Sequence, residues 1–274
     1  MSGSLVPEDP IGEPLGSAER TVEDGPLFDE IAAPASPPVY PFWGWLDVLL
    51  FVVVLVACLF LASVILAGIN IALVASGYPQ YALSLAQIAA LIQLLAFGPA
   101  LFVLSLVLRA RYQQGLRAAA QLGPIRNLGI YAGAGLATAI LVSVLNYVFK
   151  LQELDMPMNE LIKSDADLIL IGIAAFTFGP LFEEIIFRGI LQPLFVSGMG
   201  AVAGIFVTAL LFALPHGTQY GWHWQLILII TVAGCVFGFI RWQAQSTTAS
   251  TIAHAAYNGL LLVGAVAERM KELS

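Results

Sequence analysis

The chain has 274 residues, of which 59% are hydrophobic and only 11% charged, with a formal net charge of −7. Soluble domains carry roughly a quarter charged residues, so this composition excludes an ordinary water-soluble fold and points to helices in a bilayer. The acidity is local: residues 1–40 hold eight acids and one base, the remainder balances ten of each, and no basic stripe exists to grip nucleic acid.

Residues 1–40 read as a disordered acidic N-terminal tail. The segment is built of Pro, Gly, Ser and acids, ends in PASPPVYP, and holds too little apolar surface to offset the entropy of ordering. It also lacks the basic start of a secretory signal peptide. Residues 41–150 read as three N-terminal transmembrane helices. The first follows an aromatic cluster, Phe42, Trp43 and Trp45, of the kind that sits at headgroup level, and runs from Leu46 to about Ala75. A second span covers about Leu83 to Leu108. After a loop carrying Arg109, Arg111, Arg117 and Arg126, a third covers Leu128 to Phe149.

A polar stretch from Lys150 to Asp167 precedes a four-helix core over residues 168–267. Its spans are expected near Leu168–Phe195, Ala201–His216, Trp224–Trp242 and Thr248–Ala267. The fold class is therefore all-α, a polytopic transmembrane bundle of about seven spans, with eight as the alternative. The four-arginine loop is the strongest positive cluster, which places it, and with it the N-terminus, in the cytoplasm. Gly129/Gly133, Gly200/Gly204 and Gly234/Gly238 have the GxxxG spacing of close helix packing. Cys58 and Cys235 both lie in apolar runs without metal-site spacing, and two cysteines make no disulfide framework.

Glu183 and Glu184 stand in the middle of the fourth apolar run, AAFTFGPLFEEIIFRGILQPLF, where Arg188 is the only other charge. An ionisable side chain at the bilayer centre costs at least about 2.5 kcal/mol and by default marks a functional site. Arg188 follows Glu184 by four residues and faces it on a helix, whereas Glu183 is turned about 100° away and lacks that partner. Three further polar features follow: Phe212-Ala-Leu-Pro-His216 at the end of the fifth span, His254-Ala-Ala-Tyr-Asn258 in the seventh, and His223 between Trp222 and Trp224.

If spans four and five form an antiparallel hairpin, Glu183 and His216 are equidistant from a turn at Ser197–Gly200, each about 25 Å from it along the helix. His254 and Asn258 share a helix face, but His254 lies only about 15 Å from a turn near Gln245, so the depths match imperfectly. Each feature also has a structural reading: an intramembrane His or Asn can simply tie helices together, Glu184 and Arg188 can be an ion pair, and His223 is an interfacial residue. An ion pair leaves Glu183 unexplained.

At these residues, over about Leu168 to Val266, the chain resembles the CPBP intramembrane proteases. EEIIFRG, FALPH and HAAYN match that family's EExxxR, FxxxH and HxxxN motifs. The family includes the type II CAAX prenyl endopeptidases (the Ras-converting enzyme) and relatives linked to bacteriocin self-immunity. The resemblance implies an intramembrane endopeptidase hydrolysing a membrane-associated peptide or protein, possible sites being C-terminal and prenylated. It implies that Glu183 and His216 activate water, with Glu183 as base, and that His254 and Asn258 polarise the carbonyl and hold the oxyanion. Glu184 and Arg188 would shape and balance the site with Phe212. The residue chemistry agrees, because a carboxylate drawn out of water holds a proton more tightly, as suits a general base, and donors in a low-dielectric cavity stabilise an oxyanion.

Cofactor use stays open. His216, His254 and Glu183 have the composition of a catalytic His₂Glu zinc site, yet no HExxH occurs and the same residues work as a metal-free glutamate–histidine pair, which is the favoured expectation. The competing functions are a catalytically idle immunity or scaffold protein and a transporter with a proton-carrying carboxylate; no internal repeat with matching broken helices supports transport. The terminal KELS is not an endoplasmic-reticulum retention signal, and a prokaryotic plasma membrane is the expected location. One tension follows from the topology. A cytoplasmic arginine loop puts Glu183 and His216 toward the outer leaflet, whereas a CAAX substrate is cytoplasmic.

Overall fold

The computed structural model describes residues 39–272 apart from 152, 153 and 155. The expected tail, but for Val39 and Tyr40, lies outside the described residues. Among the described residues there are helices and no strands: α1 (Trp45–Ala75), α2 (Leu85–Tyr112), α3 (Leu116–Ala119), α4 (Leu128–Val148), α5 (Asp165–Phe176), α6 (Phe178–Glu184), a π-helical segment (Ile185–Leu191), α7 (Gln192–Met199), α8 (Ala201–Ala213), α9 (Trp224–Ala244) and α10 (Thr247–Glu272). Seven stretches are long and apolar enough to cross a bilayer, α5 to α7 counting as one from Asp165 to Met199. The expected polytopic all-α bundle of seven spans is what the chain forms, and the protein is an integral multi-pass membrane protein.

The outer surface explains why. Leu49, Val53, Val56 and Phe60 of α1 are each more than half exposed, an apolar face that would drive aggregation in water and is the lipid contact in a bilayer. Inside, α4 packs along α10, α8 along α9 and α7 along α8. The α7–α8 hairpin turns where expected: Gly200 adopts φ +81°, a left-handed conformation, and a Cβ on Gly204 would come within 2.6 Å of the Val196 backbone nitrogen. A Cβ on Gly238 would come within 2.9 Å of Gln192 Oε1 and one on Gly234 within 3.1 Å of Ala209 Cβ. Gly129 and Gly133, by contrast, face open space; the close approach on α4 is made by Gly135, whose Cβ would lie 1.9 Å from the Ala253 carbonyl oxygen of α10. A spacing motif identifies small residues but not the helix face that meets a neighbour.

Helix ends are stitched by polar side chains at both faces of the bundle. Ser84 caps α2 and Ser164 caps α5, each reciprocated three residues later by Gln87 and Asp167, and Ser84 Oγ also donates to Asp167 Oδ1 at 2.8 Å. On the opposite face, Asp47 is 2% exposed, pairs with Arg111 and accepts from Tyr112 Oη at 2.6 Å. Trp43 is not the headgroup residue that the aromatic cluster suggests. It is 4% exposed and its indole nitrogen donates to the Ile190 carbonyl at 3.1 Å, satisfying a backbone group of the π-helical segment. Trp45, 52% exposed, keeps the interfacial position.

Candidate active site

The fourth span is not the continuous α-helix that its apolar run suggests. It breaks at Thr177 (φ −106°, ψ −92°), where Pro180 has no N–H to offer the Phe176 carbonyl. Directly after Glu183 and Glu184 it widens into the π-helix Ile185–Leu191, a feature that recurs at functional sites. Wider turns advance less along the axis per residue, so the glutamates sit nearer the Gly200 turn than an ideal α-helix would put them. The shortening is smaller than the depth mismatch expected for His254, yet Glu184 and His254 are in contact, so the two helices meet at one depth.

Glu184 and Arg188 are both fully buried, with Arg188 NH1 3.0 Å from Glu184 Oε1. This is the pairing read from their spacing, a charge contact rather than an aligned hydrogen bond, since Arg188 NH1 has no hydrogen-bond partner. Arg188 NH2 donates to the Gly234 carbonyl of α9 at 3.0 Å, and the guanidinium lies 4.2 Å from the ring centre of Phe212. The same Glu184 oxygen is 3.0 Å from His254 Nδ1, a contact that spacing within single helices does not reveal. A carboxylate held beside a guanidinium accepts, so Nδ1 carries a proton, and in the neutral ring the lone pair is on Nε2. Nε2 lies 3.7 Å from Glu183 Oε2, beyond direct hydrogen-bond reach and within reach of one bridging water. The His254 ring is fixed from its faces and edges: Phe237 stacks on it at 4.6 Å and Phe212 meets it edge-on at 5.6 Å.

Glu183 is distinguished from Glu184 by access, its side chain being 29% exposed where that of Glu184 is 0%. His216 lies on the short 3₁₀ turn Leu214–Thr218 that ends α8, with Nδ1 3.0 Å from the Phe212 carbonyl. A carbonyl only accepts, so here too Nδ1 carries the proton and Nε2 is left as an acceptor. The FxxxH spacing has a plain physical basis: it lets the histidine serve one of the orphan carbonyls at a helix C-terminus while Phe212 wedges between Arg188 and His254. Asn258 Nδ2 donates to the Ala175 carbonyl at 2.6 Å, tying α10 to the broken end of α5.

Glu183, His216, His254 and Asn258 line one cavity of about 190 Å³. It reaches toward the face that carries Met158 and Leu161, where the Met158 N–H bonds the Gln219 carbonyl at 3.0 Å. The arginine loop belongs to the other face, where a Cβ on Gly189 would meet Ala120. His223 caps the start of α9 and is not among the lining residues.

Gln93, Tyr220 and Tyr257 also line the cavity and were not singled out from sequence. Tyr220 follows His216 by four residues and its ring stacks nearly parallel to the imidazole at 6.5 Å. Withdrawal from water pushes the Tyr220 phenol above its ordinary value, and the charge of Glu183 acts in the same direction, so the hydroxyl stays protonated and can donate. Gln93 carries no sequence signal, because one glutamine in a span of the N-terminal half has no motif around it.

Zinc was the alternative to a metal-free site in this cavity. Among the described residues no three His, Cys, Asp or Glu side chains converge so as to hold a metal ion. His254 and His216 are each held at Nδ1 with Nε2 free, as zinc ligands are, but with Glu183 they do not converge closely enough in this arrangement to hold an ion.

Residues 165–260 match the family model described as type II CAAX prenyl endopeptidase Rce1-like. The resemblance read from the three motifs is borne out over that segment, which contains every residue of the glutamate–histidine cluster. No curated protein and no solved structure matches the chain.

Proposed function

We propose that the chain is an intramembrane endopeptidase that hydrolyses a peptide bond of a membrane-associated segment inside the Glu183–His254 cavity, using water activated by glutamate and histidine. The observation that carries this reading is the asymmetry of the two glutamates around one histidine. Glu184, sealed against Arg188, holds His254 through Nδ1, while Glu183, open to the cavity, stands 3.7 Å from His254 Nε2. Glu183 takes a proton from the attacking water, whose oxygen adds to the scissile carbonyl, and relays that proton to Nε2 of His254. The imidazolium, stabilised by the buried Glu184 carboxylate, donates to the oxygen that gains the negative charge. His254 then gives the same proton to the leaving nitrogen, the C–N bond breaks, and the carboxylic acid and the amine separate.

His216 is a second acceptor at its Nε2 and assists in orienting the water. Asn258, whose amide nitrogen bonds Ala175 with one hydrogen, retains the other for the carbonyl, and the same bond fixes the side chain one turn from His254. Phe212 keeps Arg188 and His254 apart and in place.

The substrate reading follows from the side on which the cavity lies. It reaches toward the face bearing Met158 and Gln219, away from the arginine loop. With that loop cytoplasmic in a prokaryotic plasma membrane, the substrate is a membrane-tethered segment presented from the outer leaflet, and not a cytoplasmic prenylated C-terminus. The test is cleavage by full-length protein reconstituted in nanodiscs, read by mass spectrometry on lipid-anchored and single-span peptides. Glu183-dependent cleavage of outer-leaflet segments supports the reading. Exclusive cleavage of prenylated C-terminal peptides would refute the substrate class, and cleavage that survives Glu183→Gln would refute the chemistry.

A further inference from the structure

A second charged cluster lies outside the catalytic cavity. Arg241, in the last turn of α9, is 3% exposed. Its Nε donates to Thr247 Oγ1 at 3.0 Å and its NH2 to Tyr40 Oη at 2.8 Å, so both partners are neutral. Among the described residues no carboxylate pairs with Arg241, and the buried Glu184 already serves Arg188 and His254. A buried cation without a counter-charge of its own is strongly disfavoured, and this one borders a cavity of about 260 Å³ that Arg188, Gln192, Ser197 and Trp242 also line.

Arg241 thus offers a guanidinium edge to an oxyanion at the cavity wall. The position of the cavity indicates where that oxyanion comes from. Trp242, 42% exposed, stands at its edge, and Trp45, 52% exposed, packs on Phe195 of α7 with ring centres 4.8 Å apart; half-exposed tryptophans of this kind mark headgroup level.

We propose that the cavity between α7 and α9 binds the phosphate of an anionic lipid headgroup, with Arg241 as the principal donor. The same chemistry is available from free phosphate, and the two sources separate experimentally. Full-length protein in phosphatidylcholine nanodiscs is titrated with phosphatidylglycerol or with inorganic phosphate, read by lipid retention in native mass spectrometry and by thermal melting. One phosphatidylglycerol per chain is expected to bind saturably, and Arg241→Gln is expected to weaken it at least about tenfold, the loss of one charge-assisted hydrogen bond.

Arg241→Gln removes a buried tether of Tyr40 and can impair folding, so Ser197→Asp provides an independent arm. It leaves Arg241 in place and supplies a carboxylate at the cavity wall, which should remove lipid binding without lowering the melting temperature of the lipid-free protein. Displacement of the lipid by inorganic phosphate, dependent on Arg241, would support an oxyanion site open to the free ion. Equal retention of phosphatidylglycerol and phosphatidylcholine, or wild-type binding in both variants, would overturn the proposal.

Discussion

Glu183 and Glu184 differ by one position in sequence and should differ completely under substitution. Glu184→Gln removes a charge that sits with Arg188 at zero exposure, 3.0 Å away. The guanidinium would keep the Gly234 carbonyl and the face of Phe212 but no neutralising partner of its own, and His254 Nδ1 would lose its carboxylate. Breaking a buried pair by removing one member costs about 3–5 kcal/mol, a large part of the roughly 5–15 kcal/mol that holds a folded domain together. On the scale of about 2–4 °C per kcal/mol for chains of this size, the melting temperature should fall by on the order of 10 °C. Glu183→Gln keeps the volume of a side chain that is 29% exposed and removes no buried ion pair, so its melt should move by roughly a degree or two at most. Cleavage should fall by about 10²–10⁴, the usual contribution of a positioned acid or base. Melting curves in one detergent, with cleavage measured on the same preparations, test both halves. A stable, inactive Glu184→Gln together with an unstable Glu183→Gln would refute the assignment.

Asn258→Ala removes the bond to Ala175 and should lower stability by about 1 kcal/mol while reducing kcat more than it raises KM; an unchanged kcat would leave the residue with a purely structural role. Gly135→Val, forced against the Ala253 carbonyl that a Cβ would approach to 1.9 Å, should separate α4 from α10 and abolish expression, whereas Gly133→Val faces open space and should be tolerated. Chelator treatment of purified protein should leave cleavage intact; activity lost to chelation and restored by one zinc per chain, with His216 and His254 as ligands, would reject the glutamate–histidine mechanism. In a variant without native cysteines (Cys58→Ala, Cys235→Ala), impermeant maleimide on intact cells should label Gln219→Cys and not Asn127→Cys, and the opposite labelling would reverse the membrane orientation.

The sequence by itself determined the spans, because seven apolar runs leave the backbone no alternative to helices in a bilayer, and Leu128–Val148 and Trp224–Ala244 lie within a few residues of their expected limits. It also singled out charged side chains inside the bundle. Charges are so costly in that environment that Glu183, Glu184 and Arg188 stand out against their apolar neighbours without any coordinates. The Glu184–Arg188 pair was legible because both members lie on one helix, where spacing fixes direction. What only the tertiary structure decided was contact between helices. That His254 takes Glu184, that Asn258 takes Ala175, and that Gly135 rather than Gly133 meets α10 depend on the rotation and depth of one helix against another, which a periodic pattern does not encode. The π-helix was hidden for a related reason: its displaced carbonyl at Ile190 is satisfied by Trp43, a residue almost 150 positions away. Arg241 obeys the same cost rule as Glu183 yet escaped notice at the end of a span, where a long cationic side chain is expected to reach water. Only packing shows that it is buried instead, held between Tyr40 and Thr247 at the edge of a second cavity.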